Sequence, residues 1–305
     1  MEKDEAIGWA SYERTDLACE WERGTQRMEG VHIERWRWSG GEGHRLRIET
    51  PDAGERVGRP VGEYITLLCG KFWTLNAETE RALEKEMARH LVRLLERETQ
   101  RKVGGGMSVL VVGLGNRGIT ADALGPAVVD DLLITRHLRE QERDIFRKME
   151  CCAVSALAPG VLGQTGMEAA EVIAGAVHRA RTDAIIAVDA LAARDCDRLA
   201  AAVQLSNAGI APGSGIGNDR MALTRRGMGV PVIALGIPTV VDSSTLVYDA
   251  LRRAGMERVT GRLREILENG RRFYVSPKEA DLITERTARL TARAINRALV
   301  GVAEL

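Results

Sequence analysis

Residues 108–118, which read SVLVVGLGNRG, decide the fold. An aliphatic run that leads directly into glycines is typical of a buried strand followed by a tight turn. The same pattern of aliphatic run, turn and helical stretch returns at residues 152–156 and 231–235, and a further aliphatic run covers residues 184–188. Aliphatic strands that alternate with helices are typical of parallel strands buried on both faces. The sequence therefore predicts an α/β fold, with a mostly parallel sheet and helices on both of its faces.

The chain before this stretch has a different pattern. The first thirty residues are polar and lack a sustained period, which predicts a loosely attached leader. Short strand-like runs between residues 31 and 68, separated by glycine-rich segments, predict a β-meander. Apolar residues at helical spacing predict a helix over residues 78–99. Three glycines at 104–106 then break the chain, and we expect the α/β core to fill residues 104–305.

Composition and charge exclude several classes of protein. The chain has 305 residues, and its 43 Lys plus Arg are balanced by 43 Asp plus Glu, so it lacks a chain-wide basic field for nucleic acid. Its five cysteines are odd in number and have no C-x-x-C spacing, which argues against a disulfide framework or a zinc knuckle. The first residues lack the pattern of a signal peptide, and no apolar run reaches the ~18 residues of a membrane helix. We therefore expect an intracellular protein that neither binds nucleic acid directly nor enters a membrane.

Two tryptophans, Trp36 and Trp38, alternate with arginines in the predicted meander. Aromatic side chains interleaved with cations can form a face that binds single-stranded nucleic acid. The neutral total charge instead favours solvated arginines on the outer face of the meander.

Residues 113–118 spell G-x-G-x-x-G after a strand, which is the spacing of a dinucleotide-binding fingerprint. That fingerprint needs a helix that begins within the glycines, but here residues 119–122 intervene. It also needs a strand that ends in an acidic residue ~20 residues later, where this chain reads RHLRE at 136–140. The glycines therefore indicate a tight turn and argue against a nucleotide site.

Aspartates dominate the predicted carboxyl ends of the strands, where open parallel sheets bind ligands. Asp122 follows the first strand, Asp189 ends the third aliphatic run, and Asp242 follows the last one. Asp122 is also a good helix N-cap, whereas an unpaired charge at Asp189 would be costly to bury. If Asp122 and Asp189 face each other, their pKa values separate, so that one can hold a proton while the other is ionised. Such a pair can activate water against an amide.

Eight motifs, in the same order along the chain, closely resemble the germination protease family. They are residues 112–116 (VGLGN), 120–126 (TADALGP), 133–138 (LITRHL), 155–161 (SALAPGV), 188–194 (VDALAAR), 212–218 (PGSGIGN), 237–242 (IPTVVD) and 276–279 (SPKE). The resemblance runs from about Arg14 to the C-terminus, so it covers nearly the whole chain.

The resemblance implies an endopeptidase that degrades small acid-soluble spore proteins, which coat spore DNA, during germination. It also implies a zymogen that assembles as a homotetramer, works in the cytoplasm of the spore core, and shares its fold with hydrogenase-maturation endopeptidases. We expect no cofactor and no metal. The family's proposed catalytic aspartates map onto Asp122 and Asp189. Asn116, as an orienting group, and Asp242, as a second carboxylate, are auxiliary candidates.

Residues 13–20, ERTDLACE, resemble the sites that the family cuts in itself and in its substrates: an acidic residue, then a hydrophobic one, then alanine. By this resemblance the cut falls between Asp16 and Leu17. Residues 1–16 would then be a propeptide, and residues 17–305 one protease domain. A flexible, exposed segment can enter a cleft in extended form, and the acidic preference suggests a cation in that cleft.

Two alternatives stay open at this stage. Carboxylates at strand ends can ligate a divalent cation, so the same residues also fit a metal-dependent peptidase, which a chelator would inhibit. A non-enzymatic protein could instead bind the DNA-coating spore proteins through Trp36, Trp38 and the nearby arginines. Burial of both Asp122 and Asp189, each with its own hydrogen-bond partner, would favour this second alternative.

Overall fold

The computed structural model describes residues 15–21, 28–211, 221–256, 260–269 and 273–301. Within these ranges the strands form one nine-stranded sheet. They are β1 (Val31–Trp38), β2 (Gly41–Ile48), β3 (Gly62–Leu68), β4 (Ser108–Gly113), β5 (Ala153–Leu157), β6 (Ala184–Ala193), β7 (Ala202–Ser206), β8 (Val232–Asp242) and β9 (Tyr274–Val275). The helices are α1 (Pro51–Val57), α2 (Ala77–Thr99), α3 (Leu124–Asp130), α4 (Arg136–Gln141), α5 (Arg143–Met149), α6 (Leu162–Thr165), α7 (Ala169–Ala180), α8 (Arg225–Met228), α9 (Ser243–Arg253), α10 (Gly261–Asn269) and α11 (Ala280–Val300). None of these described helices is long and apolar enough to cross a membrane.

Parallel and antiparallel pairing meet in this sheet. Its strand order is β1-β2-β3-β7-β8-β6-β4-β5, and β9 pairs with the last residues of β8. The four neighbours β8, β6, β4 and β5 are parallel. The meander β1–β3 is antiparallel and joins them through β7. The predicted α/β fold is therefore confirmed, and the predicted meander extends the same sheet as the parallel core.

Alternate residues of the central strands pack on opposite faces of the sheet. Val109, Val111 and Ile186 lie in one core cluster with residues of α2, α3 and α11. Leu110 and Ile185 lie in a second cluster with residues of α7. Helices thus cover both faces of β4 and β6, which explains why these strands are aliphatic throughout instead of alternating with polar residues.

Strand β6 is longer than the sequence predicts. The expectation that it ends at Asp189 is wrong, because it continues to Ala193. Residues 190–193 are three alanines and a leucine, which have little intrinsic strand preference, but they pair with residues 237–241 of β8. Neighbouring β4 ends earlier, opposite Val188. Asp189 therefore lies inside its own strand, at the first position beyond the end of β4.

The tryptophans of the meander pack against the body of the protein. Trp36 and Trp38 are partly buried against the main core, and the indole N–H of Trp36 donates to Glu86 of α2 at 3.2 Å. The guanidinium of Arg45 lies 5.2 Å from the centre of the Trp36 ring. Trp36 therefore helps to fix the meander to α2, which does not support an open binding face built on this side chain.

A buried carboxylate ties the meander to the same helix. Glu63 of β3 is 1% exposed and pairs with Arg45 at 2.9 Å and with Arg93 and Arg97 of α2. Burial alone would raise the pKa of Glu63, but the hydrogen bonds and charges of Arg93 and Arg97 outweigh it and hold that pKa below its usual value. Removing one partner from such a buried cluster is costly because the others lose their compensation.

Candidate active site

Three glycines let the turn that carries Asp122 lie directly against strand β4. A Cβ atom on Gly115 would lie 2.0 Å from the carbonyl oxygen of Asp122, and one on Gly113 would lie 2.1 Å from the carbonyl oxygen of Gly125. A Cβ on Gly125 would lie 2.3 Å from the carbonyl oxygen of Leu114. Only glycine allows so close an approach of two backbones. The glycines after β4 therefore serve to pack the Asp122 turn against the strand.

Asp122 does not cap helix α3. It is the last residue of a 3-10 turn, and the N-cap of α3 is Ala123, which makes no side-chain cap bond. The carboxylate of Asp122 instead accepts the backbone N–H of Asn116 at 2.7 Å. The side-chain oxygen of Asn116 accepts from the amide of Gln164 at 2.8 Å. Asn116 therefore orients Asp122 through its backbone, while its side chain binds Gln164 of α6.

Asp189 and Asp122 differ in burial. Asp189 is 5% exposed, whereas Asp122 is half-buried. One carboxylate oxygen of Asp189 accepts the backbone N–H of Ala190 at 2.9 Å, so each aspartate has its own backbone donor. The non-enzymatic alternative expects both aspartates to be buried, each with its own hydrogen-bond partner. Both have their own donor, but only Asp189 is buried.

Backbone contacts join the turn of the first aspartate to the strands around the second. The N–H of Leu114 donates to the carbonyl oxygen of Val188 on β6 at 2.8 Å. The hydroxyl of Thr239 on β8 donates to the carbonyl oxygen of Ala121 at 2.6 Å. Val188 and Ala121 each immediately precede one of the two aspartates. The structure therefore brings both aspartates to the same end of β4, as the sequence predicts.

Asp242 lies away from the other two aspartates. It ends β8, six residues beyond Gly236, which is the β8 residue that pairs with Asp189. At ~3.3 Å per residue this is about 20 Å along the strand. Its carboxylate accepts the backbone N–H groups of Ser244 and Thr245 at 3.0 and 3.2 Å. Asp242 is therefore the N-cap of α9, and the structure does not bring it to the site.

Residues 15–21, which contain the predicted processing site, pack into the protein. Leu17 is 0% exposed and packs against Leu191 in a small core cluster, and Ala18 is 1% exposed. The expectation of a loosely attached, exposed leader is therefore wrong for these residues. Residues 1–14 of the predicted propeptide, and the predicted motif at 212–218, lie outside the described residues.

The backbone of this docked segment, residues 15–21, is bound as a peptide ligand would be. The N–H of Asp16 donates to the carbonyl oxygen of Ala192 on β6 at 2.9 Å, and the N–H of Ala192 donates to the carboxylate of Asp16 at 2.9 Å. The side-chain amide of Gln204 on β7 donates to the carbonyl oxygen of Asp16 at 2.8 Å and accepts the N–H of Ala18 at 2.6 Å. Main-chain hydrogen bonds to a sheet are a general mode of peptide recognition.

Glu20 anchors the other end of the docked segment. It is 5% exposed, and its carboxylate accepts the backbone N–H groups of Arg194 at 3.0 Å and Asp195 at 3.1 Å as well as the hydroxyl of Thr15. Burial raises the pKa of Glu20, and these hydrogen bonds offset only part of the rise. The docked segment therefore carries a buried acidic group whose charged form is disfavoured.

A cavity of about 260 Å³ lies beside the docked segment. Its walls include Asp16, Arg59, Asp189, Gln204 and Gly236. In the sheet Gly236 lies between Gln204 and Asp189, and the side chain of Leu191 packs where a Cβ on Gly236 would lie. Arg59 is a cation in this wall, and its guanidinium donates to the carbonyl oxygen of Thr15. Asp122 is not among the residues that line this cavity.

Sequence reasoning missed three residues of this site: Ala192, Arg59 and Gln204. Ala192 lies inside the motif at 188–194 but was given no role there, and no local pattern marks Arg59, because both roles depend on the docked segment. Gln204 does carry a signal, since it is the polar member of the strand run AVQLS at 202–206. A polar side chain inside an apolar strand needs hydrogen-bond partners if it is buried.

Within the described residues, no three or more His, Cys, Asp or Glu side chains lie in a group that could hold a metal ion.

An α/β protein that binds a peptide segment beside a buried aspartate has the features of a peptide-cleaving enzyme. The chain belongs to the germination protease family, whose model matches residues 11–256. It is therefore a peptidase.

Individual relatives agree with this assignment. The germination protease of Caldanaerobacter subterraneus subsp. tengcongensis is 38% identical over 310 residues, which cover 94% of each chain. That of Clostridium acetobutylicum is 37% identical over 320 residues and 96% of each chain. That of Priestia megaterium is 43% identical over 206 residues, or 66% of this chain and 54% of the relative.

A [NiFe] hydrogenase maturation protease, HycI from Thermococcus kodakarensis KOD1, is similar in structure with a TM-score of 0.31, 14% identity, and coverage of 62% of this chain and 93% of that one.

Proposed function

We propose that this chain is a self-processing endopeptidase that starts the degradation of small acid-soluble spore proteins during germination. It cuts after an acidic residue and before a hydrophobic residue followed by alanine. Membership of the germination protease family supports the peptidase activity and its place in germination. The spore core as its location and the homotetramer as its assembly are part of the same proposal and rest on the family resemblance.

The observation that carries the proposal is the docked segment. Asp16, Leu17 and Ala18 supply an acidic residue, a hydrophobic residue and alanine in that order. Asp16 and Asp189 line the same cavity. This placement supports a cut of the bond between Asp16 and Leu17, because a catalytic carboxylate must lie within reach of the bond that it hydrolyses.

The proposed chemistry uses Asp122 and Asp189 as an acid–base pair. One carboxylate takes a proton from water as the water oxygen attacks the carbonyl carbon of Asp16. The other, protonated at the start, supplies a proton to the nitrogen of Leu17 as the peptide bond breaks. Two carboxylates at one end of β4 can share these roles because like charges favour one shared proton.

Docking of the segment also supports the proposal that the uncut chain is a zymogen. Asp16 occupies the hydrogen-bonding groups of Ala192 and Gln204 that an acidic residue of another protein would need. After the cut, residues 1–16 can leave and free these groups. Residues 17 and 18 must also shift before a protein substrate can fill the other side of the site, because Leu17 and Ala18 are packed there.

Intact-mass spectrometry of the purified chain, incubated at mildly acidic and at neutral pH, tests the proposal. We expect the wild type to lose residues 1–16, whereas Asp122→Asn and Asp189→Asn stay uncut, since an amide cannot take the proton from water. Asp144→Asn is the matched control, because the side chain of Asp144 is 91% exposed. Cutting of Asp189→Asn at the wild-type rate would remove this residue from the mechanism.

A chelator in parallel samples tests the metal-dependent alternative. We expect the rate of self-cleavage to be unchanged by the chelator. A loss of cleavage that added divalent cation restores would instead favour the carboxylates as metal ligands.

A further inference from the structure

The side-chain amide of Gln204 contacts both sides of the bond that is proposed to be cut. Its Nε2 lies 2.8 Å from the carbonyl oxygen of Asp16, and its Oε1 lies 2.6 Å from the backbone nitrogen of Ala18. The two partners fix which end of the amide is which, because a carbonyl oxygen can only accept and a backbone N–H can only donate. The N–H donor of Gln204 therefore lies on the carbonyl of the residue before the cut.

We propose that Gln204 is a catalytic residue, which stabilises the oxyanion that forms on the carbonyl of the acidic residue during hydrolysis. The inference rests on the proposed function, since it takes the bond after Asp16 as the one that is hydrolysed. It assigns to a neutral side chain the role that oxyanion-hole donors have in other acyl-transfer enzymes.

In the step itself, the water oxygen forms a bond to the carbonyl carbon of Asp16 and its proton passes to a carboxylate of the aspartate pair. The π electrons of the carbonyl move onto its oxygen, where the Nε2–H group of Gln204 stabilises the negative charge. When the intermediate collapses, the electrons of the C–N bond move to the nitrogen of Leu17, which takes a proton from the aspartate pair. The products are an amine at Leu17 and a carboxylic acid at Asp16, which loses its proton to solvent and becomes a carboxylate.

The surroundings of Gln204 suit such a donor. The residue is 9% exposed and lies on β7 within the nine-stranded sheet, so its position is held by the sheet. Asp16 is fixed from the other side by Ala192, through bonds of 2.9 Å to both its backbone and its carboxylate. A donor that the fold aims at a carbonyl is preorganised for the charge that develops there. In the uncut chain the donor lies 2.8 Å from the carbonyl oxygen of Asp16, and it must lie about 2.7–3.1 Å from the position of the oxyanion during the reaction.

The test compares Gln204→Glu and Gln204→Met with the wild-type full-length chain. Glutamate keeps the size of the side chain and the acceptor for Ala18 but has no donor when ionised, whereas methionine keeps the size without charge or donor. Gln141→Glu is the matched control, because Gln141 is exposed at the end of α4. Intact-mass spectrometry follows the rate of self-cleavage. Hydrogen exchange of the amides of residues 17–20 shows whether this segment stays docked.

We expect both Gln204 variants to process about 10²–10³-fold more slowly, the loss typical of one oxyanion donor, while Gln141→Glu keeps the wild-type rate. In Gln204→Glu the amides of residues 17–20 should stay protected, because the acceptor for Ala18 remains. A cut at the wild-type rate in either variant would overturn the inference. So would a slow rate in both variants together with lost protection in both, since Gln204 would then only hold the segment in place. A wild-type chain that never cuts after Asp16 would instead overturn the proposed function.

Discussion

Replacing Gly125 by alanine tests the backbone contact that joins the two aspartates. Gly125 is the second residue of α3, where helix propensity alone would favour alanine by about 0.5–1 kcal/mol. The structure predicts the opposite sign. A Cβ on Gly125 would lie 2.3 Å from the carbonyl oxygen and 2.5 Å from the nitrogen of Leu114, and 2.7 Å from the carbonyl oxygen of Val188. All three are backbone atoms, so no side chain can turn aside to make room.

The expected loss of stability follows from the movement of α3 that an added Cβ would require. Separating α3 from β4 and β6 costs about 1–3 kcal/mol as overpacking. It also breaks the 2.8 Å hydrogen bond from Leu114 to Val188, which adds about 0.5–1.5 kcal/mol. After the helix-propensity gain of alanine is subtracted, we expect the free energy of unfolding of Gly125→Ala to fall by about 0.5–4 kcal/mol. A shift of ~1 Å between Asp122 and Asp189 should slow self-cleavage about 10²-fold.

Urea unfolding and intact-mass kinetics measure these two effects. Gly175→Ala is the matched control, because Gly175 lies inside α7 and a Cβ there would meet nothing within 4 Å. It should gain about 0.5–1 kcal/mol and keep its rate of processing. If Gly125→Ala were as stable and as fast as Gly175→Ala, the close packing of α3 against β4 and β6 would be refuted.

Two further predictions concern buried carboxylates. Burial raises the pKa of Glu20, so the docked segment should be bound most strongly below the usual pKa of a glutamate and more weakly as pH rises through the raised pKa. Hydrogen exchange of the amides of residues 17–20 measures this binding. Glu20→Gln should remove its pH dependence. Glu63→Gln should cost about 2–4 kcal/mol in urea unfolding, because it leaves Arg93 and Arg97 without their buried partner. In the matched control Glu55→Gln, at an exposed position, stability should be unchanged, and an equal loss there would contradict the role given to the buried cluster.

The parallel core was predictable because its signals are local. Val109 and Val111 alternate with Leu110 and Val112 in a strand that is aliphatic on both faces, so the pattern itself indicates burial from both sides. The glycines after this strand predicted a tight turn, and the structure shows that they allow the Asp122 turn to pack against it. Sequence reasoning made Asp242 a second carboxylate of the site and missed its N-cap role, although serine and threonine follow it at the start of a helical stretch.

The full length of β6 was not predictable from residues 190–193. Three alanines and a leucine are compatible with a helix as well as a strand, and only pairing with β8 holds them extended. The burial of Leu17 had no local signal either, because residues 13–20 are mostly polar and resemble an exposed segment. Leu17 is buried because Leu191 and its neighbours, far along the chain, leave a place for it.

The sequence by itself determined the α/β class, the family, and the position of Asp122 and Asp189 at one end of the central strands. It could do so because aliphatic runs, glycines and aspartates at strand ends are contiguous signals. Only the tertiary structure decided that the predicted processing site is docked, that Asp189 shares a cavity with Asp16, and that Gln204 lies on the carbonyl of Asp16. Those contacts join residues as much as 188 positions apart, and such pairings exist only once the sheet has assembled.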